Sequence, residues 1–185
     1  MKETSDLFTE LNSDTAFSLF LIPPKQFVHT IEVGAKWISD ESSMANEYAM
    51  SANLLRDAAI KSGTPWFYAN PIIYLYRHAL ELYLKAILQP NKPTHNLLKL
   101  RDALITYIKG KYEIDIADGW AIQIISEFAS LDPSSTRLRY AKDNSGKPSF
   151  AAEQRVNLED LKMRMDALFQ SLIWLAMNSV SPAEK

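Results

Sequence analysis

The sequence predicts an all-α protein, an antiparallel bundle of about five helices preceded by an irregular N-terminal arm. Two observations lead there. Apolar residues recur at helical spacing in five separate stretches, and each stretch stops at a cluster of Pro, Gly, Asn or Ser residues. With 185 residues, 47% of them hydrophobic, the chain is long enough to bury one continuous core, so a single domain is expected.

Residues 1–40 read as the arm, packed on a helical domain spanning 41–185. Pro23-Pro24 interrupts any regular helix there, while Phe17, Phe20, Leu21 and Trp37 supply apolar surface that must be covered. The β-branched run Phe27 to Val33 suits a short strand, and Ala35 to Ile38 suits a helix start equally well. From Ser42 to Lys61, Met44, Tyr48, Ala52, Leu55 and Ala59 mark one helical face, with Ser42 or Ser43 as the cap and Ser62-Gly63-Thr64-Pro65 as the stop. Pro71 opens a second helix that runs without a breaker from Ile72 to Leu88. Thr94 is the expected cap of a third, His95 to about Lys109, which Gly110 ends. A fourth covers about Ala117 to Ala129, and a polar loop follows through Pro148. The last begins near Asn157, whose side chain suits a cap, and buries Leu158, Leu161, Met165, Leu168, Ile173, Trp174 and Met177.

Composition narrows the chemistry. Without cysteine there are no disulfides, thiolate metal sites or Cys nucleophiles, which fits a reducing compartment, and the expected location is the cytoplasm. The apolar stretch Ala16 to Pro23 is too short to cross a bilayer, so no membrane partner is expected. A net charge of −2 lacks the overall positive field of many nucleic-acid binders, so any contact with RNA would be local. The 5 glycines form no phosphate loop or dinucleotide fingerprint, and no cofactor is expected. His29, His78 and His95 do not have the spacing of a metal site, and neither Ser62-Gly63 nor Ser145-Gly146 sits in a hydrolase elbow. Glu159-Asp160 lies at a helix start, where acids complement the dipole.

Most of the information lies in the second helix. On a wheel, its apolar residues cover roughly two thirds of the circumference, which makes it central and buried. The remaining stripe holds Tyr74, Arg77, His78, Glu81 and Lys85, with Arg77/Glu81 and Glu81/Lys85 spaced i,i+4. Either this stripe is simply solvated or it lines a polar groove. In a groove, Arg77 supplies a forked donor for phosphate, His78 a group titrating near neutrality, and Glu81 an acceptor that orients one of them. His95 stands at a helix N-terminus, which favours anions. Arg137, Arg139, Tyr140 and Lys142 form the densest basic cluster, read either as a phosphate-holding and base-stacking element or as ordinary surface. Trp66-Phe67-Tyr68 is expected to pack inward, and the final helix offers Phe169, Leu172, Ile173, Trp174 and Met177 as a face for a homodimer.

The segment Tyr76-Arg77-His78-Ala79-Leu80-Glu81-Leu82-Tyr83-Leu84-Lys85-Ala86-Ile87-Leu88, followed by Thr94-His95-Asn96-Leu97-Leu98-Lys99-Leu100, resembles the central helices of HEPN-domain proteins. Leu131-Asp132-Pro133 through Arg137-Leu138-Arg139-Tyr140-Ala141-Lys142-Asp143 is similar to a third element of that group. The resemblance implies a helical bundle, often dimeric. Its members include metal-independent endoribonucleases of toxin–antitoxin, phage-defence and RNA-processing systems, and non-catalytic modules that bind RNA, nucleotides or proteins. Catalytic members usually carry an Arg followed about four to six residues later by a His, and no Arg here has a His at that spacing. If the chain cleaves RNA, Arg77 and Arg139 are expected to hold the phosphate, His78 or His95 to move a proton at the 2′-OH, and Glu81 to fix a neighbour. Lys85, Arg137, Arg139 and Tyr140 are then the expected substrate-binding residues.

Overall fold

The computed structural model describes residues 40–92, 94–133, 135–150 and 152–179. Residues 1–39 of the arm, with the strand expected at Phe27 to Val33 and the alternative helix start at Ala35 to Ile38, lie outside the described residues. Those described form five helices and no strand: α1 (Glu41–Lys61), α2 (Ala69–Leu88), α3 (Leu97–Tyr112), α4 (Trp120–Leu131) and α5 (Leu158–Ser179). A 3-10 turn at Pro65–Tyr68 leads into α2. The all-α bundle is therefore the architecture of the described chain.

Each helix end follows from a local interaction. The cap of α1 is Asp40 rather than Ser42 or Ser43: its Oδ1 accepts from Ser43 N at 2.7 Å, and a carboxylate at this position also complements the dipole. The chain leaves α1 through Gly63, at φ 72°, a conformation that costs glycine little. Asn96, not Thr94, caps α3, its Oδ1 accepting from Lys99 N at 3.1 Å. Thr94 instead accepts from Asn96 N just upstream, so the helix begins after His95. Nor does Gly110 end α3. A helix tolerates one interior glycine at about 1 kcal/mol, and the stop comes at Glu113, which adopts a left-handed φ of 59°. Asn157 caps α5 as expected, accepting from the backbone N–H of both Glu159 and Asp160.

Ala45, Ala49, Ala52 and Ala59 are buried along one side of α1, and their small side chains let α2 approach closely. The buried seam starts at Ala45, one residue after the expected Met44, which is exposed. Against it α2 places Ile72, Ile73, Tyr76, Ala79, Leu80, Tyr83, Leu84 and Ile87. The contact Tyr48–His78 together with the bond from Tyr76 Oη to Asn53 shows that α1 and α2 run antiparallel. α1 also runs antiparallel to α5. Asn53 Nδ2 donates to Asp166 Oδ1 at 3.0 Å, and one turn further along α1 Arg56 donates to Leu158 O and pairs with Glu159. Phe169 of α5 packs between the rings of Tyr76 and Tyr83. On α5 the buried face is Met165, Leu168, Phe169, Leu172 and Ala176, whereas Trp174 and Met177 are exposed, because at roughly 100° per residue they lie outside that face.

Tyr83 is fully buried and its hydroxyl has no hydrogen-bond partner, so burial pushes its pKa up to about 12. An unpartnered buried hydroxyl is a net cost. Tyr83→Phe should therefore raise the urea midpoint, with a gain of up to about 1 kcal/mol in unfolding free energy. A loss of more than that amount would mean that the hydroxyl has a partner.

Candidate functional site

Tyr74, His78, Glu81 and Lys85 follow one another at intervals of four, three and four residues, which aligns them along one narrow stripe of α2 about 16 Å long. Two loops close over this stripe, one carrying His95 before α3 and the other carrying Arg139 and Tyr140 after α4. Arg77, beside the stripe, holds both loops. Its Nε donates to Asp132 O at 3.0 Å and lies 3.5 Å from Asp132 Oδ2, its Nη2 donates to His95 O at 2.9 Å, and its Nη1 donates to Glu81 Oε2 at 2.8 Å.

Arg77 and Glu81 are 0% exposed, which decides their roles. The solvated reading of this part of the stripe fails, and so does the expectation that Arg77 holds a phosphate: its guanidinium faces protein acceptors on every side. Glu81 likewise positions rather than reacts. Its Oε1 accepts from Lys85 Nζ at 2.7 Å and lies 2.8 Å from His95 Nδ1. Burial alone would raise the Glu81 pKa, but the hydrogen bonds from Lys85 and Arg77, with that from His95, hold it below its ordinary value, so the carboxylate is ionised. An ionised carboxylate only accepts, so Nδ1 of His95 carries the proton and Nε2 of this largely exposed ring is the basic nitrogen.

Asp132 shapes the second loop. Buried at the end of α4, its Oδ1 accepts from Thr136 N and Arg137 N, and the chain then turns through Ser135 at φ 61°. Leu138 is buried as the anchor of the turn. Arg139 is thereby laid over Tyr74, 5.9 Å from the ring centroid, and against Tyr140 at 5.3 Å, with its Nε donating to Ser135 O. Its terminal nitrogens make no hydrogen bond among the described residues. The His78 ring stacks on Tyr74 with centroids 5.7 Å apart and planes 8° from parallel, and it stands T-shaped to the Tyr48 ring with centroids 4.4 Å apart. Tyr140, Arg139, Tyr74 and His78 are thus in successive contact. Burial lowers the His78 pKa, with Arg77, Lys85 and His95 adding to the effect and Glu81 opposing it.

The structure brings together Arg77, His78, Glu81, Lys85, His95, Arg139 and Tyr140. It separates Arg137, which donates toward Ser130 O and faces a hollow lined by Leu131, Phe150 and Leu161. Trp66 and Phe67 do not pack inward as expected. They are 66% and 74% exposed and Tyr68 is 37% exposed, so no ring of the 3-10 turn between α1 and α2 is buried. Tyr74, Tyr48 and Asp132 are additions that the sequence did not single out as site residues. The spacing of Tyr74 from His78 was a usable signal for the first, but nothing in the sequence placed Asp132 beside Arg77. Among the described residues no group of three His, Asp or Glu is placed to hold a metal ion, and no helix is long and apolar enough to cross a membrane. Comparison of the chain with protein-family models, curated proteins and solved structures finds no match.

Removing one member of a buried ion pair leaves the other uncompensated, so Arg77→Met should cost about 3–5 kcal/mol of stability in urea unfolding. A cost below 1 kcal/mol would show that the clamp is dispensable. Stability should also fall as the solution is acidified. The folded His78 resists protonation while the unfolded ring takes a proton below its ordinary pKa of 6.5, so its contribution is complete above that pH and declines below it. The depressed pKa of Glu81 acts in the same direction, its contribution present above the ordinary 4.5 and lost as pH falls through the folded value. Unfolding midpoints from about pH 8 down to about 2 test both, and His78→Phe should flatten the upper part of the curve.

Proposed function

We propose that this chain is a HEPN-like helical module that binds single-stranded RNA or a nucleotide along the α2 stripe. The observation that carries this reading is the run of contacting flat groups Tyr140, Arg139, Tyr74 and His78. Tyr140, 57% exposed at the open end of the run, offers a ring on which any base can stack, and Arg139 adds a cation for the adjoining phosphate. With a net charge of −2, attraction to phosphate comes from this local arrangement rather than from the whole surface. The resemblance to HEPN proteins supports the same reading.

A specific feature favours a second reading, metal-independent endoribonuclease of a defence or toxin–antitoxin system. His95, oriented by Glu81 and exposed at Nε2, has the arrangement of a general base, and Arg139 would steady the phosphate while the 2′-oxygen attacks it. In this reading Arg77 is a positioning residue, replacing the Arg–His spacing of catalytic relatives by a contact to the His95 carbonyl.

Both readings are tested with a mixed-sequence RNA pool in the presence of a chelator. Arg139→Ala and Tyr140→Ala should each weaken binding about tenfold, the loss of one phosphate contact or one stacked base. Unchanged affinity in both variants would remove the binding site from this stripe. Fragments that appear with wild type and vanish with His95→Ala would establish cleavage, whereas an intact pool alongside tight binding would leave the non-catalytic reading.

A further inference from the structure

The two histidines of the stripe meet opposite surroundings at the same ring atom. Nδ1 of His95 lies 2.8 Å from the buried, ionised carboxylate of Glu81 and must donate to it. Nδ1 of His78 is buried with no hydrogen-bond partner, in a ring stacked on Tyr74 and T-shaped to Tyr48. A buried N–H without an acceptor is rarer than a buried acceptor without a donor, so the proton of neutral His78 belongs on Nε2, where solvent can receive it. The neighbours fix both rings from several sides: Arg77 and Lys85 keep the Glu81 charge in place, and the backbone of His95 is tied to Arg77.

We infer that His78 and His95 stand in opposite tautomers, His78 offering an N–H and His95 a lone pair, and that His95 thereby reads the 2′-hydroxyl that separates RNA from DNA. The inference rests on the RNA-binding reading of the stripe. An RNA backbone carries many acceptors, in its phosphate, ring and ester oxygens, and one donor, the 2′-hydroxyl. A phosphate brought to Arg139 and the His78 N–H finds complementary groups in RNA and DNA alike. The His95 lone pair is satisfied by a backbone hydroxyl only in RNA. Base donors vary with sequence, whereas the 2′-hydroxyl is present at every nucleotide, so a fixed acceptor beside a cation suits a reader that does not depend on sequence. His95 is thus the specificity-determining residue, and Glu81 positions it.

The test uses the full chain with a short mixed-sequence single-stranded RNA and the DNA of the same sequence, with fragment lengths checked after each titration. Wild type should prefer RNA by about three- to tenfold, one hydrogen bond's worth. His95→Ala should bring RNA affinity down to that for DNA, and Arg139→Ala should weaken both strands together. The backbone carbonyl that holds Arg77 survives the His95→Ala change, so the variant keeps its clamp. Nitrogen chemical shifts of the labelled protein provide a second readout, with the proton on Nδ1 of His95 and on Nε2 of His78. A preference that persists in His95→Ala, or a His95 proton on Nε2, overturns the inference. Equal wild-type affinity for the two strands removes it and leaves the RNA-binding reading standing, while binding of neither strand removes both.

Discussion

The site depends on a single buried cation. A guanidinium can meet several acceptors in one plane, and Arg77 uses this to join three separate parts of the chain: the α2 carboxylate of Glu81, the backbone before α3, and the backbone after α4. Neither loop has regular structure of its own, and each is fixed where it meets α2. Lysine at position 77 would retain the charge but not the planar fork, whose three nitrogens each meet a different acceptor. The position of His95 relative to Tyr74 and Arg139 is therefore set by one side chain that touches no solvent.

α2 is both the described helix with the most buried residues and the carrier of the polar ones. The alanine seam of α1 brings the two backbones close, and the larger α2 side chains fill the space between helices. Burying Arg77 and Glu81 in such a setting costs desolvation unless both are paired and hydrogen-bonded, and the network around them meets that condition almost completely. Asp132 Oδ2 is the exception, having no hydrogen bond and only the 3.5 Å approach of Arg77 Nε.

The helices were legible in the sequence because apolar period and breaker residues act locally. The central place of α2 and the Asn157 cap could both be read in this way. Helix starts were less legible where several capping residues compete, as Asp40 does with Ser42 and Ser43, and Asn96 with Thr94, since the choice rests on backbone angles that a sequence does not display. The candidate site was half legible. The stripe Arg77, His78, Glu81, Lys85 was visible from its spacing, but whether it faced water or protein depended on residues 132 and 95, both distant in sequence. Arg137 and Arg139 look equivalent in sequence, yet the left-handed turn at Ser135 and the anchoring of Leu138 send them to different surfaces. Trp66 and Phe67 illustrate the converse, since hydrophobicity alone does not determine whether a ring at a corner finds room inside.

The buried network also shapes how the stripe looks electrically from outside. Arg77 and Lys85 are matched by Glu81 and Asp132, two charges of each sign within hydrogen-bond or ion-pair contact, so their fields largely cancel at the surface. What remains over the stripe is the guanidinium of Arg139. A nucleic acid lying there would displace few condensed counterions, on the order of one, and its affinity would change by less than one decade for each decade in salt concentration. Such a surface would keep its hold on a ligand across a wide range of ionic strength, relying on flat contacts where a basic groove relies on charge.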